Sequence, residues 1–393
     1  MALQLITETP SSKVEADRRY DYFQIMRGIA CLMVFLNHVV GLLSGRIDTK
    51  GYWYDPLIVP LGFPWVWLFL ILSGFLLTKQ FVDGRMELNL TGILNFYERR
   101  SRRLLPMLWF VPLLLGFLYG LHIWSPHLPA FSPSAELQVA LALPWVPYIQ
   151  QGNPVASVNS PVWSAVLEIH YFLLLPVILW LTRMSSRTML LLVGIWMIGI
   201  AGLAFRVAVH RSPDIFPMIY QEHLYNCGFM LAGCAIALTK LRPYKVSWRW
   251  PILVVVLLIV GTQYVTAYNL NLALALLPIA ALPGFSLLVV KANADFQSPI
   301  PKSIRQLHLA RGPLRWFELA GVMSYSIYLL HKPLSYIVIA QIGLDHWVTG
   351  PFSLIAMTLL TAAAIFPPIL LSFACVEMRF RRPSNKLLSK IKT

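Results

Sequence analysis

The chain has 393 residues, 57% of them hydrophobic and 12% charged, with a net charge of +15. A soluble domain carries about 25% charged residues, and the mean hydropathy here is +0.64. A soluble enzyme is therefore excluded, and an all-α polytopic membrane bundle is expected, because helices satisfy their own backbone groups in lipid.

A span needs about 20 apolar residues. Ten stretches qualify in chain order: 22–43, 61–78, 104–121, 161–181, 189–209, 217–239, 250–267, 270–290, 316–340 and 351–375. The first twenty residues are polar and no small-residue cleavage pattern follows the first apolar run. That run reads as a retained span rather than a signal peptide. Asn269 and Asn271 mark the hairpin between the seventh and eighth stretches.

Ten spans put both termini on one side, and 26 of the 32 Lys and Arg fall in segments on that side. The opposite loops hold only Arg46, Lys50, Arg206 and Arg211. This asymmetry places the termini in the cytoplasm, as a tail 1–21 and a basic tail 376–393 around a single domain covering 1–393. The positive charge is then mostly topology, with some attraction to anionic headgroups of the bilayer, and no nucleic-acid partner is expected. Cys31, Cys227, Cys234 and Cys375 lie in apolar runs and form neither a disulfide framework nor a metal set, so no metal site is expected either. The outer segment 122–160 has no Lys or Arg but does have an apolar piece of its own (137–145), and reads as a cap rather than a connector. The segments 79–103 and 291–315 read as cytoplasmic loops.

Ionisable groups inside a bilayer are costly and mark function by default. Arg27 and His38 lie eleven residues apart in the first span, hence on one helical face and roughly 16 Å apart along its axis. Alone, each has a plainer reading: a snorkelling arginine and a hydrogen-bonded packing histidine. A shared cavity would explain both. In the fourth span, counting from the outer ends places Glu168 level with His38, so a carboxylate that orients an imidazole is one option. An arginine or hydroxyl partner elsewhere is the other. His170 points to a different face and is the weaker candidate. In the ninth span Ser324, Tyr328 and His331 share a face, with Tyr325 beside them, suited either to chemistry or to interhelical hydrogen bonds. Ser73 and Gly74 in the second span lie level with Arg27. Arg99, Arg100, Arg102 and Arg103 precede the third span and suit phosphate groups, which arginine forks grip bidentately.

Taken together, these segments resemble the acyltransferase-3 family of integral membrane acyltransferases over essentially the whole chain. The resemblance rests on Arg27 and His38 with ten residues between them, Ser73-Gly74-Phe75, an RxxR best met by Arg100 and Arg103 with Pro106, Trp163-Ser164 with Glu168, and Ser324-Tyr325 with Ile327, Tyr328, Leu329 and His331. Arg99 and Arg102 satisfy the bare RxxR spacing too. Departures are Ala165 and Val166, Leu105, and Glu377 followed by Met378 and Arg379 where an E-x-P pattern is common. The resemblance is to the stand-alone form, without a fused extracytoplasmic hydrolase-like domain.

The resemblance implies transfer of an acyl group, often acetyl, from cytoplasmic acetyl-CoA or another acyl-CoA to a hydroxyl of an envelope glycan or lipid-linked sugar. The expected location is a bacterial inner membrane, with no permanently bound cofactor. Arg27, Arg100 and Arg103, with Ser73, would hold the donor; His38 would act as general base and Glu168 would orient it. Trp163, Ser324, Tyr325, Tyr328 and His331 would face the acceptor or the oxyanion. An antibiotic, lipid or other small molecule is the alternative acceptor. A transporter is the main rival class, and Pro278 with Pro283 is the one feature in its favour; the chain shows neither internal repeat nor paired broken helices. A non-catalytic assembly subunit is a third possibility.

Overall fold

The computed structural model describes residues 21–44, 61–121, 123, 131–142, 159, 161–210, 222–239, 247–268, 270–297 and 314–381, and among them every regular element is a helix. In chain order these are α1 (Tyr22–Leu43), α2 (Phe63–Val82), α3 (Leu90–Gly120), α4 (Pro133–Ala140), α5 (Val162–Leu181), α6 (Ser186–His210), α7 (His223–Leu238), α8 (Arg249–Tyr268) and α9 (Leu270–Gln297). Then come α10 (Leu314–Val322), α11 (Ser324–Ile342), a 3-10 turn (Leu344–Trp347), α12 (Pro351–Ser372), a π-helical turn (Phe373–Glu377) and α13 (Met378–Arg381). Seven of the described helices are long and apolar enough to cross a membrane by length and composition.

Each of the ten predicted stretches falls on this helical framework, with four differences. The basic cluster expected in a loop is helical, because Asn89 caps α3 early by accepting from Gly92 N–H at 2.8 Å. The ninth stretch is broken at Met323 into α10 and α11. The outer segment contains α4. Finally, helix continues past 376 to Arg381, so the expected C-terminal tail begins as structure. Residues 1–20, 382–393 and Asn269 lie outside the described residues, and Asn271 already falls in α9.

The described bundle is apolar on its outside as well as in its core, unlike a water-soluble domain. Large apolar side chains such as Leu191, Ile198, Phe352 and Leu359 face outward, while Arg27, Ser73, His331 and Glu377 are buried. Lipid gives apolar helices little reason to associate, so close contact of small residues decides which helices touch. In α1 and α10, a Cβ on Gly28 would sit 1.9 Å from the Phe317 carbonyl oxygen, and one on Gly321 would sit 1.9 Å from that of Gln24. These two backbones therefore touch beside Arg27. α2 and α7 meet the same way through Gly74 and Gly233. There Trp67 also donates to Asn226 Oδ1 at 3.0 Å and stacks on Phe229.

Gly321→Val should cost at least about 1–3 kcal/mol, the usual range for overpacking, and show as loss of monodisperse detergent-solubilised protein. Gly202→Val, a site with nothing within 4 Å of the added atom, should behave as wild type; equal behaviour of the two variants would refute the contact.

The outer segment turns back into the bundle. Phe131 stacks on Tyr119 near the end of α3, and α4 then runs down that helix until Trp109 donates to the Ala140 carbonyl at 2.8 Å. His170 meets the Ala142 carbonyl at 2.8 Å and His223 at 2.7 Å. Further along, buried Asn159 donates to the Leu329 carbonyl at 2.6 Å. Pro333 has no N–H to offer that carbonyl as a normal helix would, and Asn159 replaces the missing partner. α5 consequently starts inside the bundle, beside Tyr328.

Candidate active site

Five helices meet around a narrow cleft. α1 contributes Arg27, α3 Arg100 and Arg103, α5 Ser164 and Glu168, and α11 Ser324, Tyr325 and Tyr328, with α2 residues Val66, Phe69 and Leu70 as its apolar wall. Its volume is about 50 Å³, room for a few waters. The helical register of α3 separates the four arginines. Arg100 and Arg103 face the cleft, whereas Arg99 is exposed and Arg102 pairs with Glu98 at 2.6 Å.

Glu168 accepts from the Ser73 hydroxyl at 2.7 Å, and the next residue, Gly74, makes the contact with α7. Hydrogen bonding and close packing are thus divided between adjacent residues. Tyr328 donates to the Pro161 carbonyl at 3.1 Å and meets the Ser164 hydroxyl at 2.6 Å. Tyr325 donates to the Leu104 carbonyl at 3.0 Å, tying α11 to the α3 turn that carries Arg103. Trp163 is half-buried and is not among the residues lining the cleft.

His38 lies one layer beyond. Its partner is His331, not Glu168: His38 Nδ1 is 3.0 Å from His331 Nε2 and 2.9 Å from the Val34 carbonyl. The expectation that Glu168 orients His38 is corrected accordingly. It assumed that α1 and α5 end at one surface, and α5 starts deeper. The ring of His331 in turn lies 5.9 Å from that of Tyr328 and 5.0 Å from that of His38, so packed rings link the cleft wall to His38.

Carbonyl acceptors fix the tautomers. His331 Nδ1 faces the Ile327 and Tyr328 carbonyls at 3.1 and 2.8 Å and must carry hydrogen there. In the neutral ring its Nε2 is then an acceptor. His38 Nδ1 must donate, shared between Val34 and His331, which leaves the lone pair on His38 Nε2. That nitrogen is the one on which the ring can take up a proton. With both its nitrogens so engaged, His331 is a partner of His38 rather than an oxyanion donor.

Two groups had no reading from sequence. Glu377 was noted only as a departure, yet it is buried and accepts from the Ser326 backbone and hydroxyl. Asn159 carried no signal, because the carbonyl it serves belongs to Leu329, four residues before Pro333 and 170 residues away in sequence.

Comparison with known proteins decides the family of a chain with this geometry. The family model described as an acyltransferase domain matches residues 20–376. The chain belongs to the acyltransferase-3 family. It is accordingly an acyltransferase and an integral membrane protein, as members of the family are. Similar relatives are Nodulation protein 10 of Rhizobium leguminosarum bv. viciae, 24% identical over 91% of this chain and 95% of that protein, and O-acetyltransferase OatA of Staphylococcus aureus, 24% identical over 72% of this chain. The match spans 48% of OatA. No solved structure matches the chain.

Proposed function

We propose that this acyltransferase moves an acyl group, acetyl in the first instance, from cytoplasmic acyl-CoA to a hydroxyl of an envelope or exported glycan in a bacterial inner membrane. The observation that carries the reading is the cleft, where Arg27, Arg100 and Arg103 stand with Glu168, Ser324 and Tyr328, and where His331 packs between Tyr328 and His38. The name of OatA as an O-acetyltransferase supports acetyl and an oxygen acceptor, and the excess of basic residues at the arginine end supports a cytoplasmic donor.

In this reading Arg27, Arg100 and Arg103 grip the phosphates of the coenzyme. The cleft widens as the long stems of Arg100 and Arg103 swing aside to admit the pantetheine arm. The acceptor hydroxyl attacks the thioester carbonyl and passes its proton to His38 Nε2; the C–S bond breaks, and the thiolate takes that proton as it leaves. His331 holds the His38 ring in the tautomer with Nε2 bare and stabilises the imidazolium. Ser324 and Tyr328 stand where they can donate to the developing oxyanion, Tyr328 by releasing Pro161.

Purified protein in lipid nanodiscs, supplied with radiolabelled acetyl-CoA and an envelope glycan fraction, should place label in alkali-labile esters of the glycan. Binding of the donor with no label leaving the coenzyme, whatever hydroxyl acceptor is offered, would refute transfer. Mass spectrometry of envelope glycans with and without the gene then identifies the acceptor.

A further inference from the structure

α11 carries Ser324, Tyr325, Tyr328 and His331, and it begins inside the bundle at the Met323 break rather than at a surface. A helix that starts there leaves its first amides without intrahelical partners, and Met323 at its N-cap supplies no side-chain bond. The acceptor comes from 51 residues away. Glu377 Oε2 takes the Ser326 backbone N–H at 3.2 Å and the Ser326 hydroxyl. Its negative charge also sits at the positive end of the helix dipole.

Glu377 reaches this point because of the π-helical turn Phe373–Glu377. One extra residue in a turn rotates everything after it by about 100° around the helix axis. Without it, the side chain at 377 would leave the bundle interior, where it is now 1% exposed. The same first turn of α11 is held from two other sides. Cys31 of α1 meets the Ser324 carbonyl at 3.4 Å, and Tyr325 holds Leu104 of α3. Rotation and height of α11 thus depend on contacts at its start, and His331, two turns along, inherits both.

We propose that Glu377 is a positioning residue for acyl transfer: its carboxylate pins the N-terminus of α11 so that His331 meets His38. The functional part of this statement rests on the transfer reading above. Glu377→Ala removes both bonds, whereas Glu377→Gln keeps an oxygen that can accept them. In nanodiscs, Glu377→Ala should lower kcat by about 10- to 100-fold, the scale of a 1 Å misplacement, with the acyl-CoA KM unchanged, and Glu377→Gln should restore most of it. Adding His331→Asn to Glu377→Ala should cost little more than His331→Asn alone, because both act through one ring.

Hydrogen–deuterium exchange of the 323–332 segment gives a readout independent of activity: faster in Glu377→Ala, near wild type in Glu377→Gln. Unchanged exchange in Glu377→Ala overturns the pinning, as does a Gln variant as impaired as Ala. Faster exchange in Glu377→Ala, together with a wild-type protein that transfers no acyl group, would refute the transfer reading and with it the catalytic part, leaving the pin. If Glu377→Ala does not fold, Ser326→Ala, which deletes only the hydroxyl bond, should show a smaller kcat loss of the same kind; wild-type kcat there overturns the proposal.

Discussion

His38→Ala is expected to lower acyl transfer by about 10²–10⁴-fold, the usual contribution of a general base, with the protein still inserted and monodisperse. The tautomer chain makes a second, sharper demand. His331 serves by accepting the His38 Nδ1 hydrogen through Nε2, while its own Nδ1 is tied to carbonyls of its helix. His331→Gln, which places a side-chain oxygen in that region, should retain more kcat than His331→Leu, which leaves the His38 N–H with Val34 alone. If instead His331 were itself the base, the His331 variants would fall as far as His38→Ala and His38→Gln would be the tolerant one. Full transfer by purified His38→Ala would end the mechanism outright.

The arginine pair supplies the second large effect. Arg100→Ala with Arg103→Ala should raise the acyl-CoA KM by about 10²-fold or more, since hydrogen bonds to charged groups contribute about 1.5–3 kcal/mol each. Arg99→Ala with Arg102→Ala removes the same charge from the same turn of α3. It should leave the KM within a few-fold of wild type, because Arg99 is exposed and an exposed pair such as Arg102–Glu98 contributes about 0–1 kcal/mol. The matched pair of variants separates a binding site from bulk charge. Equal rises in both would return the cluster to a topological role, and no rise in either would remove the donor from this end of the cleft.

Much of this was legible before any coordinates. Apolar runs of span length located the helices, since a chain crossing lipid has few other ways to satisfy its backbone. Arg27, Arg100, Arg103, Ser73, Glu168, Ser324, Tyr325 and Tyr328 were all singled out, and the structure gathers them around one cleft. What the sequence hid was depth and partnership. Counting residues from span ends treats every helix as starting at the membrane surface, and α5 does not, so Glu168 was set level with His38 and lies instead with Ser73. The break at Met323 hid because neither proline nor an adjacent glycine pair marks it: Gly321 is used for contact with α1. The choice between the two RxxR readings needed only the face of a helix, but helical periodicity cannot say which face meets the bundle. Glu377 was invisible for a related reason, as a π turn leaves no mark in composition or period.

Asn159 and Pro333 together tie the approach to α5 to the middle of α11. The Leu329 carbonyl cannot turn to its own helix, and in hydrocarbon it has no water to fall back on. Drawing the 159 segment away from the bundle would expose that oxygen at a cost of about 1–3 kcal/mol, the usual penalty for a buried acceptor left bare. One consequence follows from so small a sum: the tie between Asn159 and α11 is a clasp, which any other hydrogen-bond donor reaching the Leu329 carbonyl could replace at little net cost.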